Sequence, residues 1–81
     1  MTIEFHFYSI SKSLAGQSTR QIVVPEGATV AQAVDRLVRA TPALEAIRHS
    51  CLFAIGTDYA RADAALAEGD VVSIIPPMQG G

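Results

Sequence analysis

Val71-Val72-Ser73-Ile74-Ile75-Pro76-Pro77-Met78-Gln79-Gly80-Gly81 runs from an apolar strand through two prolines to a double-glycine end. Four of the five residues from Val71 to Ile75 are apolar, the composition of a strand covered on both sides inside a sheet. Neither proline can donate a ladder hydrogen bond, so the strand stops there. Pro77 pushes Pro76 toward extended geometry, and Pro76 does the same to Ile75. The chain is therefore expected to leave the body straight, and six residues would reach roughly 20 Å past the sheet. Gly80 and Gly81 carry no side chain, so backbone and terminal carboxylate suit a slot too narrow for a Cβ.

A central last strand needs neighbours, and the sequence supplies them. Thr2 to Tyr8 alternates, with Ile3, Phe5 and Phe7 on one face and Glu4, His6 and Tyr8 on the other. Ser9 to Gly16 breaks the alternation and reads as a loop with one helical turn at Lys12–Leu14. Arg20 to Val24 is a second strand, stopped by the turn chemistry of Pro25-Glu26-Gly27. Thr29 opens a helix with capping-box spacing to Gln32. Val30, Val34, Leu37 and Val38 then form an apolar stripe, with Gln32, Asp35, Arg36 and Arg39 off it. Pro42 ends that helix by disfavouring α geometry at Thr41. Ala43 to Arg48 suggests a second short helix, Cys51 to Ile55 an apolar strand, and Tyr59-Ala60 an edge strand after a turn at Gly56-Thr57-Asp58. Leu66 is expected to plug the core below the Glu68-Gly69-Asp70 turn.

One strong helix covers only one face of a sheet, so the fold class is α+β, with a mixed sheet and one main helix on one face. The economical packing is a β-grasp roll in which the first and last strands pair in parallel at the centre. An 81-residue chain makes one small domain of modest stability. A net charge of −2 is no electrostatic footprint for nucleic acid or an anionic membrane. With one cysteine, neither an internal disulfide nor a multi-cysteine metal site can form. No signal peptide and no membrane span are expected, which makes the cytoplasm the default location.

Several residues invite a functional reading and receive a plainer one. Cys51 opens an apolar strand and reads as a small buried hydrophobe rather than a sulfur carrier. His6 lies on the polar face of the first strand, where an interface role is open to it, and His49 follows the short helix as a cap. Neither has a second metal ligand at useful spacing, so no metal site is expected. Tyr8, an aromatic on the face away from the core, fits either an interface contact or ordinary partial burial. Ser11 and Ser13 have no histidine partner in view for nucleophilic catalysis, and no glycine motif cradles a phosphate.

Pro76-Pro77-Met78-Gln79-Gly80-Gly81 also matches a Pro-Pro-x-x-Gly-Gly terminus, and Leu66-Ala67-Glu68-Gly69-Asp70-Val71-Val72 a Leu-x-x-Gly-Asp turn into a last strand. Tyr8-Ser9-Ile10-Ser11-Lys12-Ser13-Leu14-Ala15-Gly16 matches an aromatic, basic, Leu-x-Gly tract. On these residues the whole chain resembles the small subunit of molybdopterin synthase, the MoaD family of ubiquitin-like sulfur carriers that also includes the thiazole-synthesis carrier ThiS. The resemblance implies a ubiquitin-like β-grasp domain over residues 1–75 and a flexible reactive C-terminal tail over residues 76–81. Gly81 would be the reactive residue. An E1-like adenylyltransferase would activate its carboxylate with ATP and magnesium, and a persulfide donor would convert it to a thiocarboxylate. The large synthase subunit would then pass the sulfur to cyclic pyranopterin monophosphate, in a heterotetramer of two small and two large subunits. Tyr8, Ile75, Pro76, Pro77, Met78, Gln79 and Gly80 would bind the partners, and the chain itself would hold no cofactor. Two other functions use the same activated terminus: a sulfur carrier for thiazole, cysteine or thiolated-nucleoside synthesis, and a ubiquitin-like modifier joined to lysine.

Overall fold

The computed structural model describes residues 1–77. Strand β1 (Thr2–Phe7) buries Ile3, Phe5 and Phe7 at 0–2% exposure, so the alternation read from sequence is the alternation of the fold. Strand β2 (Thr19–Val23) pairs with it antiparallel, Ile3 opposite Ile22 and Phe5 opposite Arg20.

Between these two strands lies helix α1 (Ile10–Ala15), longer than the single turn expected from sequence. The physical reason is tertiary. Leu14 and Ala15 pack against the core, and Gly16 closes the helix in the left-handed conformation, its N–H donating to the Lys12 carbonyl at 3.0 Å. Serines at three of the positions from 9 to 13 conceal the helix from any propensity reading.

Helix α2 (Val30–Ala40) begins at the expected capping box: the Thr29 hydroxyl accepts from the Gln32 N–H, and the Gln32 side chain accepts from the Thr29 N–H. Two more N–H groups of its first turn, on Val30 and Ala31, donate to the carbonyls of Ala64 and Ala62. The segment before the last strand thus satisfies helix donors that would otherwise be orphaned. Val30, Ala33, Val34 and Leu37 are buried; Val38 is half-buried. After Thr41, a 3-10 helix (Pro42–Ala46) inserts Leu44 into the core, starting and ending before the range read from sequence.

Strands β3 (Leu52–Ile55) and β4 (Asp58–Ala60) form a tight hairpin. Strand β5 (Val71–Ile75) closes a five-stranded sheet of order β2-β1-β5-β3-β4. β5 is therefore central, parallel to β1 and antiparallel to β3, as its composition implied. Its entry is set by Asp70, whose carboxylate accepts from the Ala67 N–H at 2.8 Å, while the Gly69 N–H donates to the Thr2 carbonyl. Leu66 is the core plug expected there, at 6% exposure.

Candidate functional site

The site is organised by where β5 ends. Ile75 pairs with Leu52 of β3, and Ile74 pairs with both Phe7 of β1 and Phe53 of β3. The chain thus leaves from the middle of the sheet, paired on both sides through Ile74 and on the β3 side through Ile75. Ile75 is half-buried and Pro76 is buried, so the first proline belongs to the body, whereas Pro77 is exposed. Met78, Gln79, Gly80 and Gly81, to which the sequence assigned the tail contacts and the reactive carboxyl, lie outside the described residues.

Register sorts every neighbouring side chain to one face or the other. Phe53 and Ile55 stand opposite Ile74 and Val72 and point to the helix-covered core. Leu52 and Ala54 stand opposite Ile75 and Ser73, and Tyr59 stands opposite Ala54, all on the uncovered face. Leu52 is 56% exposed and Tyr59 74% exposed. The uncovered face thus has two halves. Over β1 and β2 it is polar apart from the exposed Val23: Glu4, His6, Thr19 and Gln21. Over β5, β3 and β4 it is apolar except for Ser73, and this half borders the tail exit.

Sequence reading missed Leu52 and Tyr59. The signal was present in the parity of Cys51–Ile55: once Phe53 is core, Leu52 must face away. A nearly continuous apolar run conceals that parity, because such a run fits a strand buried on both faces. Tyr8, the one surface aromatic singled out from sequence, is 49% exposed and directly follows Phe7, the partner of Ile74.

On the polar half Glu4 Oε2 and His6 Nε2 share a hydrogen bond of 2.7 Å. The hydrogen bond from His6 holds the Glu4 carboxyl below its ordinary value. On the helix side, a groove of about 430 Å³ runs between α2 and the β3–β4 hairpin, lined in part by Arg48, His49 and Cys51. Arg48 is engaged by Asp35 and Glu45, which occupies its guanidinium. Cys51 is half-buried against the core, and burial pushes its thiol above the ordinary range. That disfavours the thiolate a sulfur-carrying cysteine would need. Among the described residues, no three His, Cys, Asp or Glu side chains gather where they could hold a metal ion, and no helix is long and apolar enough to cross a membrane.

The ThiS family model matches residues 5–81. A molybdopterin synthase sulfur carrier subunit of Chlamydomonas reinhardtii is 32% identical over the full length of both chains. Another of that name, from Arabidopsis thaliana, is 29% identical over 98% of this chain and 82% of its own. Among solved structures, SAMP1 of Haloferax volcanii superposes with a TM-score of 0.92 at 29% identity, covering both chains completely. The chain belongs to the ThiS family and has its ubiquitin-like β-grasp fold.

Proposed function

We propose that this member of the ThiS family is the sulfur-carrier subunit of a molybdopterin synthase, with Gly81 as the residue that carries sulfur. The observation that supports it is the match, along the whole chain, to relatives named as that subunit, in a fold whose central strand is followed in sequence by Pro76-Pro77-Met78-Gln79-Gly80-Gly81.

The chemistry follows from the terminus. A terminal carboxylate is ionised at neutral pH and is a poor electrophile. An E1-like adenylyltransferase, using ATP and magnesium, joins the Gly81 carboxylate to AMP and releases pyrophosphate. The terminal sulfur of a persulfide attacks the Gly81 carbonyl carbon, and AMP leaves. A thiol then reduces the resulting sulfur–sulfur bond, freeing a thiocarboxylate. In the complex with the large subunit this sulfur passes to cyclic pyranopterin monophosphate, and the carboxylate is restored for another round. The chain holds no cofactor and is not catalytic alone; the acids and bases belong to its partners, in a cytoplasmic heterotetramer.

Each physical demand has a residue to meet it. Ordering free backbone costs about 1–2 kcal/mol per residue. Pro76 and Pro77 lower that cost by restricting the chain before it binds. Gly80 and Gly81 raise it but fit a channel that any Cβ would block. Ile75, Leu52, Tyr59 and Tyr8 offer an apolar surface around the exit, and Met78 is adaptable enough to meet two different partners.

The deciding experiment is intact mass after incubation with ATP, magnesium, the E1-like enzyme and a sulfur donor. The expected gain equals exchange of one oxygen for one sulfur, located at Gly81. No gain with a competent activating enzyme overturns the reading. Deleting Gly81, or adding one residue after it, is expected to abolish sulfur transfer while leaving the melting temperature unchanged. A second reading has its own support: another Haloferax volcanii structure similar to this chain, at 28% identity, is described as small archaeal modifier protein 1. A modifier would appear in cell extract as lysine-linked conjugates, a carrier as free thiocarboxylate.

A further inference from the structure

Strand β2 is an edge of the sheet, and its outer side carries unpaired backbone. The phase of its ladder to β1 is fixed at both ends. The Phe7 N–H donates to the Ser18 carbonyl, and Met1 and Val24 exchange hydrogen bonds in both directions. In that phase Arg20 and Ile22 turn their N–H and C=O groups toward β1, while Thr19, Gln21 and Val23 turn theirs outward. Among the described residues the partner found on the outer side is a side chain: Arg36 Nη1 donates to the Val23 carbonyl at 3.4 Å. An open edge is a template for one more strand.

Charge marks what that strand must carry. Arg20 stands opposite Phe5, so its side chain leaves on the α2 side of the sheet, where Nη1 donates to Thr41 Oγ1 at 3.4 Å. Arg36 and Arg39, three residues apart on α2, share a flank of that helix. Three guanidiniums thus border this edge in a chain of net charge −2. Among the described residues none of the three forms an ion pair. Asp35 is taken by Arg48, and Glu26, across a groove from Arg36 and Arg39, pairs with neither. A second copy of this chain is a poor occupant, because two β2 edges side by side would set one trio of arginines against another.

We propose that the β2 edge and the α2 flank beside it receive an extended acidic segment of a partner protein, added to the sheet as one more strand. Main-chain bonds to Thr19, Gln21 and Val23 hold the segment, and carboxylates at its alternate positions meet Arg20, Arg36 and Arg39. Arg36 exchanges the Val23 carbonyl for a carboxylate, which frees that carbonyl for the new ladder. The site lies on the opposite edge of the sheet from β4 and does not depend on the sulfur-carrier reading.

The test titrates a capped peptide, Thr-Glu-Val-Glu-Val-Glu-Thr, into the full isotope-labelled chain, followed by NMR. Binding should shift the Thr19, Gln21 and Val23 amides and slow their exchange, with less change at Arg20 and Ile22, which already bond to β1. Replacing every Glu of the peptide by Gln should weaken binding at least about fivefold, and so should Arg36→Gln combined with Arg39→Gln in the chain. Arg61→Gln, at an exposed arginine beyond β4, should change it less than about twofold. All three arginines are exposed, so the variants should keep the native melting curve. N-methylating alternate peptide residues should abolish binding in one phase and spare it in the other, a distinction that charge attraction alone does not make. Equal affinity for the Glu and Gln peptides overturns the proposal. So does an equal loss with Arg61→Gln, indifference to the methylation phase, amide changes centred away from β2, or no binding at millimolar peptide.

Discussion

The two faces of the sheet come from the same alternating strands yet meet opposite fates. On the covered face Ile3, Phe5, Phe7, Val72 and Ile74 are no more than 4% exposed beneath α2. On the open face Leu52, Val23 and Tyr59 stay more than half exposed. Burial of a large apolar side chain contributes roughly 1.5–3 kcal/mol, so the covered face supplies the stability of a small domain. The open face supplies almost none. An apolar group left in water is no aid to folding, and those beside the tail exit are the surface that the proposed carrier role would give to a partner.

That contrast is open to direct attack, starting with its largest expected effect. Phe5→Ala removes a fully buried ring at the sheet centre and should cost about 3–5 kcal/mol. A domain of this length holds roughly 4–12 kcal/mol in total, so urea unfolding should show most of the stability gone. A loss below about 1 kcal/mol would mean the covered face is not the core described. The mirror experiment is Leu52→Ser with Tyr59→Ser. Denaturation should shift by no more than about 0.5 kcal/mol per site, while affinity for the large subunit falls about tenfold or more. A large stability loss with unchanged affinity would reverse the roles of the two faces. Smaller again is Thr29→Ala, which removes one half of the capping box on the covering helix and should cost about 1 kcal/mol in the same unfolding assay. No measurable change there would show that the Ala62 and Ala64 carbonyls already suffice to hold the helix start.

Much of the covered face was legible in sequence because its signals are local or periodic. The alternation of Ile3, Phe5 and Phe7, the Thr29–Gln32 spacing and the apolar run at Val71–Ile75 each name their own structure. The parallel pairing of β1 with β5 followed from treating that run as central. The open face was harder, because it depends on parity and register. Leu52 looks like core until its pairing with Ile75 puts it on the other side from Phe53. Helix α1 was underestimated because Ser11 works through a contact no propensity contains, a hydroxyl turned back onto the backbone of Tyr8. The chemistry proposed for the tail rests instead on its residues and family likeness, and residues 78–81 lie outside the described ones.

The smallest effect concerns how the covering helix is fastened at its outer side. Asp35 on α2 accepts from Arg48, just past the 3-10 helix, which also donates to Glu45 within it. This hydrogen bond is the main reason the Asp35 carboxyl sits below its ordinary value of 3.8, and the same contact raises the Arg48 guanidinium. A carboxyl whose folded pKa is depressed stabilises the fold above its unfolded value and loses that contribution as pH falls through the folded one. The pair's contribution should therefore be complete at neutral pH and fade below about 3.8. Asp35→Asn should unfold slightly more easily at neutral pH, and its curve should converge with the native one as acid protonates Asp35. The difference should also shrink with added salt, because the carboxylate is exposed and screened. A constant offset through the acid range, measured by thermal melts at stepped pH, would assign the loss to packing rather than charge. The helix that covers one face of the sheet would then be held by its apolar stripe and its capped start, with no charge contribution from Asp35.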